Sequence, residues 1–269
     1  MKVAALQMAS GPQVAANLNE AARLIGKAAV AGARLVVLPE NFAIMAMGDA
    51  DRLAAAERDG QGPIQEFLAA QARKQGVWLV GGTVPILAQD PKRVRAACLL
   101  FNDQGTRVAR YDKIHMFDVR LDNGEVYNES SSIEPGDAPV VVDTPFGKLG
   151  LAVCYDLRFP ELFRRLLDLG AELFAVPSAF TVRTGRAHWE VLVRARAVEN
   201  LAYIIAAAQG GYHLNGRETY GDSLIVNPWG EVLDRLARGS GVVLADLDRR
   251  YFEHTRMRFP SIQHRKLRA

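Results

Sequence analysis

Cysteine is scarce in this chain, with only 2 among 269 residues. Two thiols cannot build a disulfide framework, which excludes a small cross-linked secreted fold and favours a reducing compartment. The N-terminal segment "MKVAALQMASGP" lacks the long apolar core of a signal peptide and is typical of a first strand. No apolar run approaches the ~20 residues that span a bilayer. We therefore expect a soluble, cytoplasmic protein without a membrane partner.

Neither sign of charge dominates the sequence. The 33 basic residues stand against 30 acidic ones, for a formal net charge of +3, and this near balance predicts no nucleic-acid partner. Segments rich in serine, glycine and proline that could link two domains are also missing. Because 49% of the residues are hydrophobic, the chain can bury a large core. We expect a single domain over residues 1–269.

The two halves of the chain share segments in the same order. "GARLVVLPE" at 32–40 returns as "GAELFAVPS" at 170–178, and "LLFNDQGTRVAR" at 99–110 returns as "LIVNPWGEVLDR" at 224–235. Strand–turn–strand segments can also recur by chance, since Asn-x-x-Gly turns are common. Interpreted as a repeat, the pattern predicts an α/β fold of two similar halves, each a sheet covered by helices. Their apolar faces would pack together as a four-layer α–β–β–α sandwich.

Three predicted strands end at side chains that can carry chemistry. Glu40 follows the apolar strand in "RLVVLPENF", and Lys113 follows the strand in "RVARYDKIH". Cys154 ends a strand predicted over Leu149–Cys154. Loops at the strand ends of an α/β protein gather into a site that a rigid sheet supports. We therefore expect the three side chains to lie close together.

Together these groups could perform acyl transfer without a histidine. The Glu40 carboxylate can accept the thiol proton of Cys154 and later give it to a leaving amine. The Lys113 ammonium can stabilise both the thiolate and the oxyanion of the attacked carbonyl, with the backbone N–H of Tyr155 as a second donor. Each residue alone has a plainer interpretation. A cysteine with apolar neighbours is most often an inert core residue, as we expect of Cys98.

The chain resembles the nitrilase, or carbon–nitrogen hydrolase, superfamily over essentially its whole length. The matching segments, in order, are "LVVLPENF", "YDKIHMFDV", "GLAVCYDLRFPEL", "PSAF" and "AHWEVLVRARAVEN". This resemblance implies a Glu–Lys–Cys triad on an α–β–β–α sandwich. It also implies a second, structurally placed glutamate after the lysine, for which Glu129 matches better by position than Glu125. No metal or organic cofactor is expected, and the five histidines show no metal-ligand spacing.

Branch-specific segments indicate the substrate class. True nitrilases usually carry tryptophan after the nucleophilic cysteine, whereas this chain has Tyr155, which favours an amidase. The runs "AHWEVLVRARA", "AAAQGGYH" and "TYGDS" are similar to those of enzymes that cleave deaminated glutathione. The resemblance thus implies a cysteine-dependent amidohydrolase for a small anionic amide. The alternatives are an ω-amidase acting on α-ketoglutaramate, or another small-amide or nitrile hydrolase of the superfamily.

Cationic side chains occur near the predicted site loops. Guanidinium groups bind carboxylates through two parallel hydrogen bonds, so they suit a substrate that carries carboxylates beside its amide. For any single arginine, a solvated surface position is the plainer interpretation. The residues assigned to substrate binding are Arg158, Phe180, Arg183, Arg186 and His213, with Arg217 as a further candidate.

Two predicted helices favour self-association. The helices at 160–169 and 188–200 carry more apolar side chains than one sheet contact obviously covers: Leu162, Phe163, Leu166, Leu167, Trp189, Leu192 and Val193. Exposed apolar area marks interfaces, and relatives in the superfamily commonly pair through these helices. We expect a homodimer or a larger homo-oligomer. A simple stripe that faces the chain's own sheet is an equal alternative.

Two rival classes remain open at this point. A non-catalytic scaffold would be expected to have lost at least one of Glu40, Lys113 and Cys154. A cysteine–histidine hydrolase would instead use His115 or His188 as the base.

Overall fold

The computed structural model describes residues 1–121 and 124–267. Six α-helices lie in these ranges: α1 (Val14–Val30), α2 (Asp49–Ala54), α3 (Pro63–Gln75), α4 (Pro160–Asp168), α5 (Val182–Asn200) and α6 (Arg249–Arg258). Two short 3-10 helices, Glu129–Ser131 and Cys154–Arg158, lie in loops. No helix within the described ranges has both the length and the apolar composition required to cross a bilayer.

Seventeen strands lie in the same ranges. In the first half they are β1 (Lys2–Gln7), β2 (Leu35–Val37), β3 (Trp78–Val80), β4 (Val84–Leu87), β5 (Val94–Phe101), β6 (Arg107–Asp112), β7 (Asp118–Arg120) and β8 (Val126–Asn128). In the second half they are β9 (Val140–Thr144), β10 (Gly147–Leu151), β11 (Leu173–Ser178), β12 (Tyr203–Ala208), β13 (Gly210–Tyr212), β14 (Glu218–Tyr220), β15 (Ser223–Val226), β16 (Val232–Leu236) and β17 (Gly241–Asp246).

Two mixed sheets have matching topologies. The first has the order β17–β1–β2–β3–β5–β4, with β6 paired to β5, and the second has the order β16–β15–β12–β11–β10–β9. In each sheet three consecutive strands run parallel and an antiparallel hairpin follows. Parallel neighbours require long crossovers, which contain α1, α3, α4 and α5. The expected two similar halves are therefore present.

The sheets pack face to face with helices on both outer sides. Successive residues of β1 show this division, because Val3 belongs to the core cluster between the sheets and Ala4 to the cluster with α1 and α3. Alternate side chains of a strand point to opposite faces, so one strand serves both layers. On the far side, Phe163 of α4 and Trp189 of α5 pack on the second sheet. The predicted four-layer α–β–β–α sandwich is confirmed.

The repeated turn segments have the same local structure in both halves. Asn102 accepts hydrogen bonds at Oδ1 from the backbone N–H groups of Gln104 and Thr106, at 3.1 and 2.9 Å. Asn227 does the same for Trp229 and Glu231, at 2.9 and 3.0 Å. Both turns contain a glycine at positive φ, 76° at position 105 and 86° at position 230, where a Cβ is disfavoured. The sequence similarity thus reflects a shared turn.

The apolar helix faces that suggested self-association are covered within one chain. Six of the seven side chains named above belong to the core cluster that includes the second sheet or pack against it, and the seventh, Leu167, is buried as well. Helix α5 also begins at Val182, well before the predicted start at His188. Its N-cap is Thr181, whose side chain accepts a hydrogen bond from Thr184 N, a typical helix start. These side chains therefore match the alternative of a stripe that faces the chain's own sheet, and self-association stays a prediction.

Candidate active site

Loops at the ends of strands bring the predicted catalytic groups to one cavity. Glu40 follows β2, and Lys113 comes directly after β6. Cys154 and Glu129 each open one of the two 3-10 helices. All four side chains line the same cavity of about 350 Å³, a volume typical of small-molecule sites. Residues far apart in sequence are thus collected by the sheets into one place.

Cys154 lies in the turn beyond β10 rather than in the strand itself. The strand predicted over Leu149–Cys154 ends at Leu151. Cys154 then adopts φ +47°, in the left-handed region that non-glycine residues seldom occupy and that clusters at functional sites. The turn is held by Asp156, whose carboxylate accepts a hydrogen bond from Val153 N at 2.8 Å. The backbone therefore presents the thiol to the cavity at the cost of local strain.

Asp156 also ties this turn to the segment that carries Lys113. Its buried carboxylate accepts a hydrogen bond from the Tyr111 hydroxyl of β6 at 2.7 Å and from His115 N at 3.2 Å. The ring nitrogen Nδ1 of His115 lies 2.6 Å from the same carboxylate. Lys113 stands between Tyr111 and His115 in the chain. One side chain therefore fixes the cysteine turn and the lysine loop relative to each other.

Lys113 is a buried cation between two carboxylates. Its Nζ lies 2.9 Å from Glu40 Oε1 and 2.8 Å from both carboxylate oxygens of Glu129. Burial alone lowers a lysine pKa, but the negative charges of Glu129 and Glu40 outweigh it and raise the pKa of Lys113 above its usual value. The backbone N–H of Phe117 donates to Glu129 at 2.6 Å. Lys113 therefore remains charged at any physiological pH.

The Cys154 side chain rests as a thiol. Burial, followed by the nearby charge of Glu40, raises its pKa well above the usual value, while Lys113 and the backbone N–H of Ala179 act in the opposite direction. Hydrogen bonding to Glu40 also raises the pKa of this thiol, and both side chains line the same cavity. A thiol in this environment requires a base during attack, because the thiolate does not form unaided. The arrangement thus favours proton transfer to Glu40 over a pre-formed thiolate.

The cavity wall includes only part of the predicted substrate-binding set. Arg158, Phe180 and Arg217 line it, as does Tyr155. The Arg158 guanidinium lies 5.7 Å from the Tyr155 ring centroid and 5.4 Å from that of Phe180. These are distances at which a cation is attracted to an aromatic face. The cavity wall therefore combines a guanidinium group with the aromatic rings on which it packs, and such a surface suits an organic anion.

Three of the predicted substrate-binding residues lie outside the cavity wall. Arg183 and Arg186 occupy exposed positions in the first turns of α5. The helix begins earlier than predicted and therefore includes both residues. His213 is buried in a structural role. Its Nδ1 lies 2.8 Å from the carbonyl of Ser10, and its Nε2 lies 2.7 Å from the Thr219 hydroxyl. Both ring nitrogens are thus engaged away from the cavity.

Neither rival histidine forms a pair with Cys154. His115 is held by Asp156 and stacks on Phe159 with ring centroids 3.7 Å apart. His188 is exposed and lies 3.2 Å from an Arg158 nitrogen. Neither lines the cavity. Among the described residues, no cluster of three or more His, Cys, Asp or Glu side chains is arranged to hold a metal.

The other cysteine and the other glutamate take the roles expected of them. Cys98 is fully buried in the core between the sheets, and burial raises the pKa of its thiol. Glu125 accepts a hydrogen bond from the Tyr127 hydroxyl at 2.8 Å and does not line the cavity. Glu129 alone of the two therefore reaches Lys113.

Several residues of the site escaped the analysis of the sequence. Asp156 lies inside the matched segment "GLAVCYDLRFPEL" but follows Cys154 in a turn, where aspartate is common. Arg52 also lines the cavity and donates from one nitrogen to Asp49 and Ser132, both at 2.8 Å. The Ala179 N–H beside the sulfur leaves no signal in side-chain identity. Only Asp156 could have been suspected from its place in the segment.

The chain is similar to known proteins along nearly its whole length. A family model described as carbon–nitrogen hydrolase matches residues 2–257. Among curated proteins, the deaminated glutathione amidase of Yersinia enterocolitica is 41% identical over 266 residues, which covers 98% of this chain and 92% of that protein. The similarity therefore extends through both halves of the sandwich.

Solved structures give the same result for the fold. The C. elegans NitFhit protein superposes with a TM-score of 0.91 at 35% identity, over 98% of this chain. This chain spans 65% of the NitFhit chain. An amidase from Nesterenkonia sp. superposes with a TM-score of 0.79 at 26% identity, over 98% of this chain and 99% of that one. In that structure acrylamide has added to the active-site cysteine.

Proposed function

This chain belongs to the carbon–nitrogen hydrolase family, and we propose that it is an amidase that hydrolyses deaminated glutathione to α-ketoglutarate and cysteinylglycine. The observation that carries this proposal is the buried Cys154 thiol beside the Glu40–Lys113–Glu129 cluster, in a cavity that also displays arginines. A nucleophile, a base and a cation in contact form the minimal set for acyl transfer. Curated relatives that are named deaminated glutathione amidase support the choice of substrate.

The first chemical step is attack by sulfur on the amide carbon. Glu40 takes the proton from the Cys154 thiol as the S–C bond forms. The negative charge thus leaves Glu40 and appears on the substrate oxygen, while Lys113 stays 2.9 Å from the now neutral carboxyl group. Lys113 and the backbone N–H of Tyr155 stabilise that oxyanion, as donors fixed in advance do in acyl transfer.

Collapse of the tetrahedral intermediate breaks the C–N bond. Glu40 returns its proton to the leaving nitrogen, which departs as the amine of cysteinylglycine. The acyl group remains on Cys154 as a thioester. Water then attacks the thioester as it gives a proton to Glu40, and a C–O bond forms. The C–S bond breaks to release α-ketoglutarate, and Glu40 returns the proton to the Cys154 sulfur. Glu129 holds Lys113 in place through these steps by its two 2.8 Å contacts.

The test of substrate compares two amides that share one acyl product. Deaminated glutathione and α-ketoglutaramate both yield α-ketoglutarate, so one assay follows both reactions. The longer substrate offers more remote binding energy to the transition state. We expect its kcat/KM to exceed that of α-ketoglutaramate at least tenfold, or about 1.4 kcal/mol. Equal or faster cleavage of the short amide would make the protein an ω-amidase instead.

We also propose that the protein forms a homo-oligomer through exposed residues other than those named in the sequence analysis. Four exposed apolar side chains lie on or beside the outer face of α5: Val191, Val198, Trp229 and Phe259. The rings of Trp229 and Phe259 contact each other with centroids 5.4 Å apart. An exposed apolar patch of this kind is typical of an interface. Light scattering at micromolar concentration tests the proposal, and a monomer would contradict it.

A reducing, cytoplasmic location is part of the same proposal. Cys98 and Cys154 are both free thiols, and the mechanism requires Cys154 to be reduced. Such a protein suits a compartment in which thiols stay reduced. Fractionation of cells that express the chain would test it.

A further inference from the structure

Arg217 carries a charged group whose hydrogen bonding is incomplete. Among the described residues that line the cavity, its Nε is a buried nitrogen without a hydrogen-bond partner. Its guanidinium lies 5.6 Å from the centroid of the Tyr127 ring. A buried cationic donor without an acceptor is unfavourable. A carboxylate that accepts from the guanidinium would remove this penalty through paired hydrogen bonds.

The backbone around Arg217 is held before any ligand arrives. Arg217 lies in the loop of the β13–β14 hairpin, and its own N–H donates to Asn215 Oδ1 at 3.1 Å. Tyr220 N donates to the carbonyl of Phe180 at 2.9 Å, so the hairpin is anchored on the cavity wall. His213 fastens the same loop to Ser10 on the other side. Because the hairpin is already held in place, binding a ligand costs less conformational entropy in this loop.

An aromatic wall separates Arg217 from Arg158. The ring of Tyr127, beneath Arg217, lies 5.0 Å from that of Phe117, and Phe117 lies 5.0 Å from Tyr155. Arg158 covers the far end of this row, on Tyr155. Three neighbouring aromatic rings therefore connect the two guanidinium groups along the cavity wall. This arrangement matches a chain-like substrate with a negative charge at each end.

Arg158 is the arginine beside the nucleophile. It belongs to the same 3-10 helix as Cys154 and packs on Phe180. The residue before Phe180 is Ala179, whose N–H faces the Cys154 sulfur. Arg158 is thus placed for a carboxylate only a few bonds from the attacked carbon. Arg52, the remaining arginine in the wall, already donates to Asp49 and Ser132.

We propose that Arg217 binds the carboxylate of the leaving group, the C-terminal glycine of deaminated glutathione, and that Arg158 binds the α-keto acid carboxylate of the acyl part. This assignment rests on the proposed function. It makes Arg217 the residue that distinguishes the tripeptide-like substrate from α-ketoglutaramate, which has no carboxylate on its leaving group. Arg158 serves both substrates alike.

The experiment uses three substrates that share the α-ketoglutaryl group. They are deaminated glutathione, its C-terminal amide, which lacks only the glycine carboxylate, and α-ketoglutaramate. We expect wild-type protein to prefer the acid over its amide at least tenfold in kcat/KM. Arg217→Gln should lose this preference while it cleaves α-ketoglutaramate within about twofold of wild type, because the acyl site is intact. Arg217→Lys keeps the charge but not the forked geometry and should fall between the two.

Two matched variants complete the design. Arg158→Gln should lower kcat/KM at least tenfold on all three substrates, since each carries the α-keto acid. Arg250→Gln, an exposed arginine on α6, should leave all three values unchanged. Retained cleavage of α-ketoglutaramate by Arg217→Gln also shows that this variant is folded.

The outcomes separate the inference from the function on which it rests. The assignment of Arg217 is overturned if Arg217→Gln still prefers the acid over its amide, or if it lowers kcat/KM equally on all three substrates. Either result leaves the proposed amidase activity unaffected. If wild-type protein cleaves α-ketoglutaramate but not deaminated glutathione, the proposed substrate is wrong, and the role of Arg217 is overturned with it.

Discussion

Both carboxylate oxygens of Glu129 lie 2.8 Å from Nζ of Lys113. The same ammonium lies 2.9 Å from Glu40, so two carboxylates share one buried cation. When Glu40 accepts the proton of Cys154, Glu129 still balances the lysine charge. The lysine can then interact with the new negative charge on sulfur or substrate without leaving its position. We therefore expect Glu129 to act as a positioning residue, whose removal affects rate more than fold.

Glu129→Gln should leave the fold intact and lower kcat strongly. The amide keeps the shape of the side chain but removes the negative charge that fixes Lys113. We expect a loss of about 10²-fold to 10³-fold in kcat, comparable to removal of one oxyanion donor. We expect hydrolysis of the thioester to slow more than its formation, so that the acyl-enzyme accumulates. Steady-state rates and intact mass after an acid quench measure both effects, and an unchanged kcat would contradict the role.

Asp156 should matter more for stability than any single one of its partners. Asp156→Asn would place an amide NH₂ among donors from Val153, Tyr111 and His115. We expect a loss of about 3 kcal/mol in the free energy of unfolding, against about 1 kcal/mol for Tyr111→Phe, which removes one hydrogen bond. Urea denaturation of both variants measures this difference. Equal losses would show that Asp156 is not the centre of the network.

His213 should make the protein less stable in mild acid. Burial, followed by the charge of Arg217, lowers the pKa of His213, although its contact with Ser10 acts in the opposite direction. Below the unfolded pKa of about 6.5, the unfolded chain binds a proton that the folded chain resists. Stability is therefore complete above that pH and declines as the pH falls toward the lower folded pKa.

The comparison of His213→Gln with wild type isolates this contribution. We expect wild-type protein to lose more unfolding free energy than the variant between pH 7.5 and 5.5. His254→Gln, an exposed histidine on α6, should behave as wild type. Identical slopes for wild type and His213→Gln would exclude His213 as the source.

The position of α5 predicts which arginines do not affect substrate binding. Arg183 and Arg186 lie outside the cavity wall, although both were expected to bind substrate. Arg186→Gln should therefore change kcat/KM on deaminated glutathione by less than about twofold, since surface changes away from a site have small effects. Arg158→Gln serves as the positive comparison. A large loss in Arg186→Gln would show that the helix contributes to binding after all.

The place of the predicted catalytic groups could be read from the sequence because each follows a strand. Glu40, Lys113 and Cys154 come after β2, β6 and β10, and the ends of these strands meet at one cavity. The two similar halves were visible for a related reason. The turns at Asn102 and Asn227 each require a capping side chain and a glycine at positive φ. Both halves therefore have asparagine and glycine at the same positions of the turn.

The rest of the site depends on features that residue types do not reveal. The exposed positions of Arg183 and Arg186 on α5 depend on the helix start at Val182, after the N-cap Thr181, which the sequence analysis did not predict. The buried role of His213 depends on Ser10, which is distant in sequence. The apolar helix faces that suggested a partner could equally cover the chain's own sheet. Periodicity predicts that a face is buried, but not what buries it.

The most direct test of the central claim is to trap the thioester on Cys154. Wild-type protein mixed with deaminated glutathione and quenched in acid should show the mass of one added α-ketoglutaryl group, mapped to the peptide that contains Cys154. Cys98→Ala should give the same adduct, because Cys98 is buried in the core between the sheets. Cys154→Ala should remain folded, show no adduct and lose turnover by several orders of magnitude, since the triad acts as a unit. Turnover by Cys154→Ala, or an adduct on any other residue, would contradict the account.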